Sequence, residues 1–540
     1  MCEVVSVELR AQDKPHPAPV LPPPEWPRIG LSVVLAMLVH ALIATALCGD
    51  YPLDIDVANL LAGSVHFAPL HHSPHPPGYL VYVLLLRCVT FFLGPTIQAA
   101  QVLAIACTVA GAPVLAWFVL RMRPDEPRLA LLAPWLWLLA PVALFHSADA
   151  QMHGAEATTI LLLLIAVLRA AEQPTTLRAV AVGACLALGI ALRPSLVVIG
   201  GPLVLAVLFR QWRVLLVVAL TVLVGTLAWL VPTAWACGGL APLLDAQRLL
   251  TLSFSAASRS IFSSRASADL VRGNMLELAV TLVSLWLPVL AFAALTRPRQ
   301  PLPQPLARAV LAGSVPAVLF YLALFCDEPG YLAGLLPLTI AWALLGAQPR
   351  SKVVLAALVA VALQIGLFCA PDLPGLVPKM PSARYLWRAD IKAGVIVDSL
   401  HLPPPGTARV LVVSDLQTEV SLRMLTAVRH DVAALMRVPT TKRNDHAWGL
   451  ATFDDWLPLP GPVLLQTGPA ATIHTDREFD VLIVDAQVTP PTRRQIIAQL
   501  RCPLPPEVQA AGNLQLPIAV CLPQRQLTVG KHTLDFNPRR

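Results

Sequence analysis

GDYPLDIDVANLLAGSVHFAPLHHSPHPPGY, residues 49–79, lies between the first long apolar run of the chain and the many that follow it. It holds three carboxylates (Asp50, Asp54, Asp56), four histidines and a Pro-Pro-Gly turn. Backbone and charge of this kind do not sit in hydrocarbon, so the stretch reads as a loop at a membrane surface. Loops without a packing duty concentrate binding and catalytic residues, and acids beside a membrane core are functional candidates by default.

Composition supports the membrane reading. Of 540 residues, 56% are hydrophobic and 13% charged, with a mean hydropathy of +0.67. A soluble domain carries about 25% charged residues, so the chain is expected to be an α-helical polytopic membrane protein. Its net charge of +7 does not point to nucleic acid. The basic residues fall largely in short loops between apolar runs, where they report topology, and no basic stretch is interleaved with aromatics.

Working outward from the loop, residues 1–28 are proline-rich and polar, as expected of a disordered cytoplasmic tail. The apolar run that follows is as long as a full span, which argues against a cleaved signal peptide. Apolar runs then fall at 29–48, 79–95, 97–120, 129–147, 154–170, 177–209, 213–236, 275–296, 306–326, 331–347 and 352–370. The run 177–209 is broken at Arg193-Pro194 and reads either as one kinked span or as two, giving eleven or twelve in all. The basic segments RPRQPLPQPLAR, from Arg297, and QPRSK, from Gln348, should be cytoplasmic. Counting 177–209 once then puts 49–78, 237–273, the turn at 326–331 and everything after 370 on the opposite face. RMRPDEPR, from Arg121, breaks the pattern: it is basic yet falls outside in this count.

From residue 371 to 540 proline and charge rise and apolar runs shorten. ARVLVVSD (408–415) and FDVLIVDA (479–486) read as buried strands, and helices are expected at 418–436 and 491–500. This describes a soluble α/β domain on the non-cytoplasmic side. Asp415 and Asp485 stand at strand ends, where they either cap the next element or face a site. Cys48, Cys237, Cys326, Cys369, Cys502 and Cys521 fall near or beyond the outer ends of spans, where an oxidising compartment would permit disulfides.

In the first loop, Asp54 and Asp56 suit two roles. They are acids that favour a helix N-terminus; alternatively one is a general base while Asn59, three residues after Asp56 on the same helical face, orients an acceptor. His71, His72 and His75 lie among Pro74, Pro76 and Pro77, which forbid the helical spacing of two-histidine metal sites, so hydrogen bonding or substrate lining is expected of them, with no metal ligand assigned. Between residues 237 and 273, Arg248, Arg259, Arg265 and Arg272 outnumber Asp245 and Asp269. They suit phosphate or anionic lipid headgroups. Arg193, inside an apolar run, needs an anionic partner.

The apolar first span, the outer D-x-x-N element (Asp56 to Asn59) and PHPPGYLVYVLLLR (residues 74–87) together resemble the multi-spanning GT-C glycosyltransferases. They most resemble a bacterial branch with a PHPPGY loop, akin to the protein mannosyltransferase and aminoarabinose transferase group. Weaker matches are SADAQMHGAEAT (147–158), ALRPS (191–195) and EPGYLAGLLPL (328–338), and the resemblance spans about residues 29–347. It implies a polyprenyl-phosphate sugar donor, transfer to an envelope lipid, glycan or protein on the non-cytoplasmic face of a bacterial inner membrane, and a catalytic carboxylate at Asp56, with Asp54 as the substitute. Asn59, His72, His75, Tyr79, Arg259, Arg265, Arg272 and Tyr331 are the expected substrate-binding residues. No cofactor is assigned, a divalent metal stays open, and membrane lipid is the other expected partner. The Asp-Ile-Asp of this chain replaces the adjacent Asp-Glu common in the group. A transporter or lipid-linked-sugar flippase is the alternative, although such proteins usually show internal repeats, and none is visible here.

Overall fold

The structure, a computed structural model, describes residues 25–71, 73–256, 268–296, 302–323, 328–348, 352–371, 380–414, 422–439, 446–451, 456–458, 472–474, 479–484, 495–496, 499, 518–521, 526–529 and 532–535. The helices are α1 (Glu25–Leu47), α2 (Ile55–Val65), α3 (Leu80–Leu93), α4 (Ile97–Met122), α5 (Pro127–Leu138), α6 (Pro141–Ala148), α7 (His153–Glu172), α8 (Thr176–Leu192), α9 (Val197–Leu208), α10 (Trp212–Ala236), α11 (Leu240–Ala256), α12 (Ala268–Thr296), α13 (Gln304–Ala323), α14 (Leu336–Gly346) and α15 (Lys352–Phe368). Beyond them lie the amphipathic α16 (Ala383–Ser399) and the short α17 (Leu422–Val428).

Within the described residues every apolar run of the sequence contains helix, but not every run is a crossing. Among the described residues, seven helices are long and apolar enough to span a membrane, and an eighth is added if α5 and α6, bent by 49° at a break, count as one. That is fewer than the eleven or twelve read from the sequence, because α3, α8, α9 and α15 are shorter helices. The 14-residue α3 is roughly 21 Å long against a hydrocarbon core of about 30 Å.

Hydrogen bonds at the helix ends show which short helices traverse the bundle. Gln101, near the start of α4, donates to the Gly49 carbonyl just after α1 (3.0 Å), so α4 begins at the end of the bundle where α1 finishes. The chain between them, α2 and α3 included, therefore starts and ends on one side, and the run 79–95 is not a crossing. Conversely, Arg178 at the start of α8 donates to the Arg169 carbonyl (2.7 Å), Arg193 after α8 lies beside His153, and Gln211 after α9 reaches the Ala171 carbonyl (3.4 Å). Thus α8 and α9 run up and back along α7, and 177–209 makes two passes. The two changes cancel in parity.

The basic loop that broke the topological pattern is corrected by the same reasoning. Arg123 donates to the Leu345 and Ala347 carbonyls (3.1 and 3.0 Å), capping the C-terminus of α14. RMRPDEPR and the segment entering QPRSK therefore share one end of the bundle, which is also the end where α1 begins, since Ser32 bonds the Leu131 carbonyl of α5 (2.7 Å).

Helix packing follows membrane chemistry, where close approach replaces hydrophobic driving force. On α8 and α10, Gly183 faces Thr221 and Gly225 faces Ala187, so the two backbones come close. Inside the bundle a polar chain joins α1 to α4 and α6: His40 bonds the Leu138 carbonyl (2.6 Å) and Ser147 Oγ (2.9 Å), and Ser147 Oγ bonds Thr108 Oγ1 (3.0 Å).

After α16 comes a six-stranded mixed sheet, ordered β4-β3-β2-β1-β6-β7, from β1 (Val410–Ser414), β2 (Val432–Pro439), β3 (His446–Ala451), β4 (Trp456–Pro458), β6 (Val481–Val484) and β7 (Ile518–Cys521). Its centre is parallel: β1 lies between β2 and β6, and Val410 to Val413 are wholly buried, as the apolar runs required. A second sheet holds β5 (Thr472–His474), β9 (His532–Asp535) and β8 (Gln526–Val529). The helix expected over 418–436 is shorter. α17 stops at Val428, Arg429 and Asp431 pair across the turn (2.8 Å), and residues 432–436 join β1 as a strand, because sheet pairing outweighs their local helical preference. Asp415 and Asp485 lie outside the described residues.

The α/β part meets the bundle at the first loop. Ala58 of α2 packs against Met424 and Ala427 of α17, and the Asp50 amide donates to Asp390 Oδ1 of α16 (3.0 Å). Burial raises the Asp390 carboxyl above its ordinary range, with that amide bond opposing. A recess of about 470 Å³ opens at this junction, lined by Asp50, Tyr51, Asp398, His401 and Arg429 among others.

Candidate active site

Asp54 is the N-cap of α2. Its extended backbone leaves the helix and its side chain accepts from the Asp56 amide (2.7 Å), satisfying one of the donors that every helix start exposes. Asp56, in the first turn, is placed differently. Its carboxylate is 33% exposed and lies 3.5 Å from His75 Nδ1. His75 Nε2 in turn lies 3.3 Å from the Tyr79 hydroxyl, and the two rings meet edge to face. Asn59 is buried on α2 one turn further on.

The loop needs its turn residues. Gly78 has φ +102°, and a Cβ there would press on Phe67, Pro69 and Thr233 at 3.0–3.1 Å. Tyr79 follows at φ 44°, left-handed and uncommon for a side chain of this size, and so is held by its surroundings. That conformation starts α3 with the Tyr79 ring turned toward the bundle, where it interacts electrostatically with Asp56, Arg193 and Glu156.

Beyond Tyr79 the polar residues continue as a buried seam built from the three weaker sequence matches. Residues 147–158 bring His153 and Glu156, ALRPS brings Arg193, and residues 328–338 bring Glu328 and Tyr331. Arg193 Nη1 lies 3.6 Å from Glu156 Oε1, and its guanidinium stacks 4.0 Å above the Tyr331 ring, which packs on Tyr321. His153 Nδ1 is 3.1 Å from Glu156 Oε2 and 3.4 Å from Arg193 Nη1. An ionised carboxylate only accepts, so Nδ1 carries the proton and donates to Glu156. Gln151 bridges Asp149 Oδ2 (3.1 Å) and Glu328 Oε1. Gly330 lies against the His153 ring so closely that a Cβ would overlap it.

Glu156 and Glu328 are 1% and 3% exposed. Charges so buried persist only when paired, and Arg193 supplies the pairing for Glu156. The Arg193 ion pair with Glu156 uses Nη1; with the proton on His153 Nδ1, the 3.4 Å approach to that nitrogen is a contact without a hydrogen bond. A guanidinium carries N–H groups on Nε and Nη2 as well, in the fork geometry that suits phosphate.

The expected site residues are therefore distributed unevenly. Asp56, His75, Tyr79 and Tyr331 come together along one polar path, Asp54 caps the helix that opens it, and Asn59 lies on that helix. Arg272 is exposed on α12 and Arg248 is exposed on α11. His72, Arg259 and Arg265 lie outside the described residues. His146, Gln151, His153, Glu156 and Glu328 were not singled out, although acids and histidines inside or at the edge of apolar runs are the signal that marks them. Cys48, Cys237 and Cys369 are free thiols here, and Cys326 and Cys502 are outside the described residues.

A helical membrane bundle with a buried charged seam beneath a polar loop, joined to an α/β layer, defines the class. No protein-family model matches the sequence, and no curated protein matches it. Among solved structures, the crystal structure of ArnT from Cupriavidus metallidurans bound to undecaprenyl phosphate is similar, with a TM-score of 0.52 over 90% of this chain and 97% of that chain, at 13% sequence identity. The chain thus has an ArnT-like fold, in agreement with the resemblance carried by the PHPPGY loop.

Proposed function

We propose that the chain is a GT-C-type glycosyltransferase that moves a sugar from a polyprenyl-phosphate donor to an envelope acceptor at the non-cytoplasmic face. The observation that carries the reading is Asp56, one-third exposed, joined through His75 and Tyr79 to the buried residues around Arg193. In the proposed reaction, an acceptor hydroxyl attacks the anomeric carbon and gives its proton to Asp56. The bond from that carbon to the phosphate oxygen breaks, and polyprenyl phosphate leaves with the electron pair. Arg193 offsets the phosphate charge, and His75 and Tyr79 position the reacting groups. The ArnT-like fold supports this donor class, since that crystal structure holds undecaprenyl phosphate.

The orientation follows from charge. The end carrying RMRPDEPR and QPRSK is proposed as cytoplasmic, which puts the seam, the first loop and residues 371–540 opposite; the proposed division at 1–28, 29–370 and 371–540 is kept except that α1 already begins at Glu25, inside the first segment. Asn59, His72, Arg259, Arg265 and Arg272 stay proposed as donor or headgroup contacts.

The test uses the full chain in nanodiscs with undecaprenyl phosphate as probe. Wild-type protein should bind it. Arg193→Lys, which keeps the charge and loses the fork, should weaken binding by about 1.5–3 kcal/mol. Absence of binding by the wild type would remove the donor reading. Translocation of a lipid-linked sugar across proteoliposomes without transfer to any acceptor would instead establish the flippase alternative.

A further inference from the structure

We propose that His146, His153 and Glu328 form a binding site for a divalent transition metal of the zinc class. The three come from separate elements: His146 from α6, His153 from the first turn of α7, and Glu328 from the residue before the 3₁₀ turn Pro329–Leu335. Each offers a ligand atom, the three atoms lie within 4.8 Å of one another, and the side chains are 1–3% exposed. None belongs to the histidine group of the first loop.

The orientation of His153 is the second, independent observation. Its Nδ1–H donates to Glu156, which leaves a lone pair on Nε2. That nitrogen makes no hydrogen bond although the side chain is buried, and it faces Glu328 Oε2 at 3.7 Å. A lone pair facing a carboxylate is repulsive unless a proton or a cation lies between them. Zinc bonds nitrogen and oxygen at about 2.0–2.2 Å, so neighbouring donors of a tetrahedral ion stand about 3.3 Å apart; His153 Nε2 and Glu328 Oε2 are 3.7 Å apart, and all three donors lie within 4.8 Å, so binding would draw them inward. The carboxylate–histidine pair behind the ring is the arrangement that fixes the tautomer of metal-bound histidines. Gln151 holds Glu328 through Oε1, and Gly330 lets the chain close onto the His153 ring.

Ligand chemistry selects the ion. Two imidazoles and one carboxylate suit zinc or iron(II), whereas magnesium and calcium prefer all-oxygen shells. Three protein ligands leave a fourth position of a tetrahedral zinc ion to water or another oxygen ligand. The ion would tie α6, α7 and the start of α14 together at the seam, whether or not the chain transfers sugars.

The experiment needs neither donor nor acceptor. The full chain is purified in detergent without chelators, its metal content is read by mass spectrometry, and Co²⁺ is exchanged in to give visible d–d absorption. The expected result is roughly one transition-metal equivalent per chain and a cobalt spectrum of low-symmetry four- or five-coordination. Glu328→Gln keeps the shape and the Gln151 contact; it should elute as wild type on size exclusion and lose the cobalt band. His146→Ala should lose it too. Metal-free wild-type protein that also takes up no Co²⁺ would overturn the proposal and assign the Nε2 position to a proton. Cobalt absorption unchanged in both variants would overturn it by placing the metal elsewhere. Either negative result leaves the binding test of the donor reading untouched.

Discussion

At the start of α2 the carboxylates keep water within reach: Asp56 is one-third exposed, and Asp54 gives its charge to a backbone amide. At the bundle end the acids are sealed. Glu156 is tied to Arg193 and His153, and Glu328 to Gln151, with almost no surface on either. A reacting base must exchange protons and meet a substrate, whereas a buried anion fixes cations and dipoles in place. The contrast teaches that the exposed region is suited to chemistry and the sealed one to holding charge, as the proposed donor phosphate would require.

The largest effect should come from opening the sealed region. Glu156→Ala leaves Arg193 and His153 without their shared anion, and loss of one partner of a buried pair costs about 3–5 kcal/mol. A marked fall in the thermal unfolding midpoint in detergent is expected; an unchanged midpoint would show that water reaches the seam. Gly330→Ala sharpens the point without touching a charge. Its methyl must displace the His153 ring, at about 1–3 kcal/mol, read in the same melt. The exposed region should respond least: Asp54→Ala removes a helix cap worth about 1 kcal/mol, while Asp54→Asn, which also caps, should be nearly silent. A loss from Asp54→Asn as large as that from Ala would mean that the charge does more than cap.

Much of the fold was legible in the sequence because apolar runs leave few options. The helices and the two buried strands β1 and β6 could be read from the hydrophobic pattern. What the pattern could not tell is which short helix crosses. α3 and the two halves of 177–209 are all short and apolar, and the Gln101, Arg178 and Gln211 bonds separate a surface helix from a hairpin. The strand 432–439 was missed for a related reason, since its pairing partner β1 lies outside any local window.

The site was half legible. The first loop advertised itself by density, with Asp54, Asp56 and His75 inside one polar stretch. The seam is assembled from single residues far apart in the chain, and Glu156 and Glu328 looked like isolated polar atoms in apolar surroundings. Arg193 was noticed for its cost in a membrane, but its partners follow only from the packing of α7, α8 and the 3₁₀ turn.

The most direct test of the account is the rate of sugar transfer by Asp56→Asn beside Asp54→Asn, each measured in nanodiscs with undecaprenyl phosphate binding as a control. Removing a positioned general base while preserving its shape should slow transfer by about 10²- to 10⁴-fold, with donor binding intact and Asp54→Asn close to wild type. Full transfer by Asp56→Asn, with or without a loss in Asp54→Asn, would contradict the assignment of the base to the exposed carboxylate of α2.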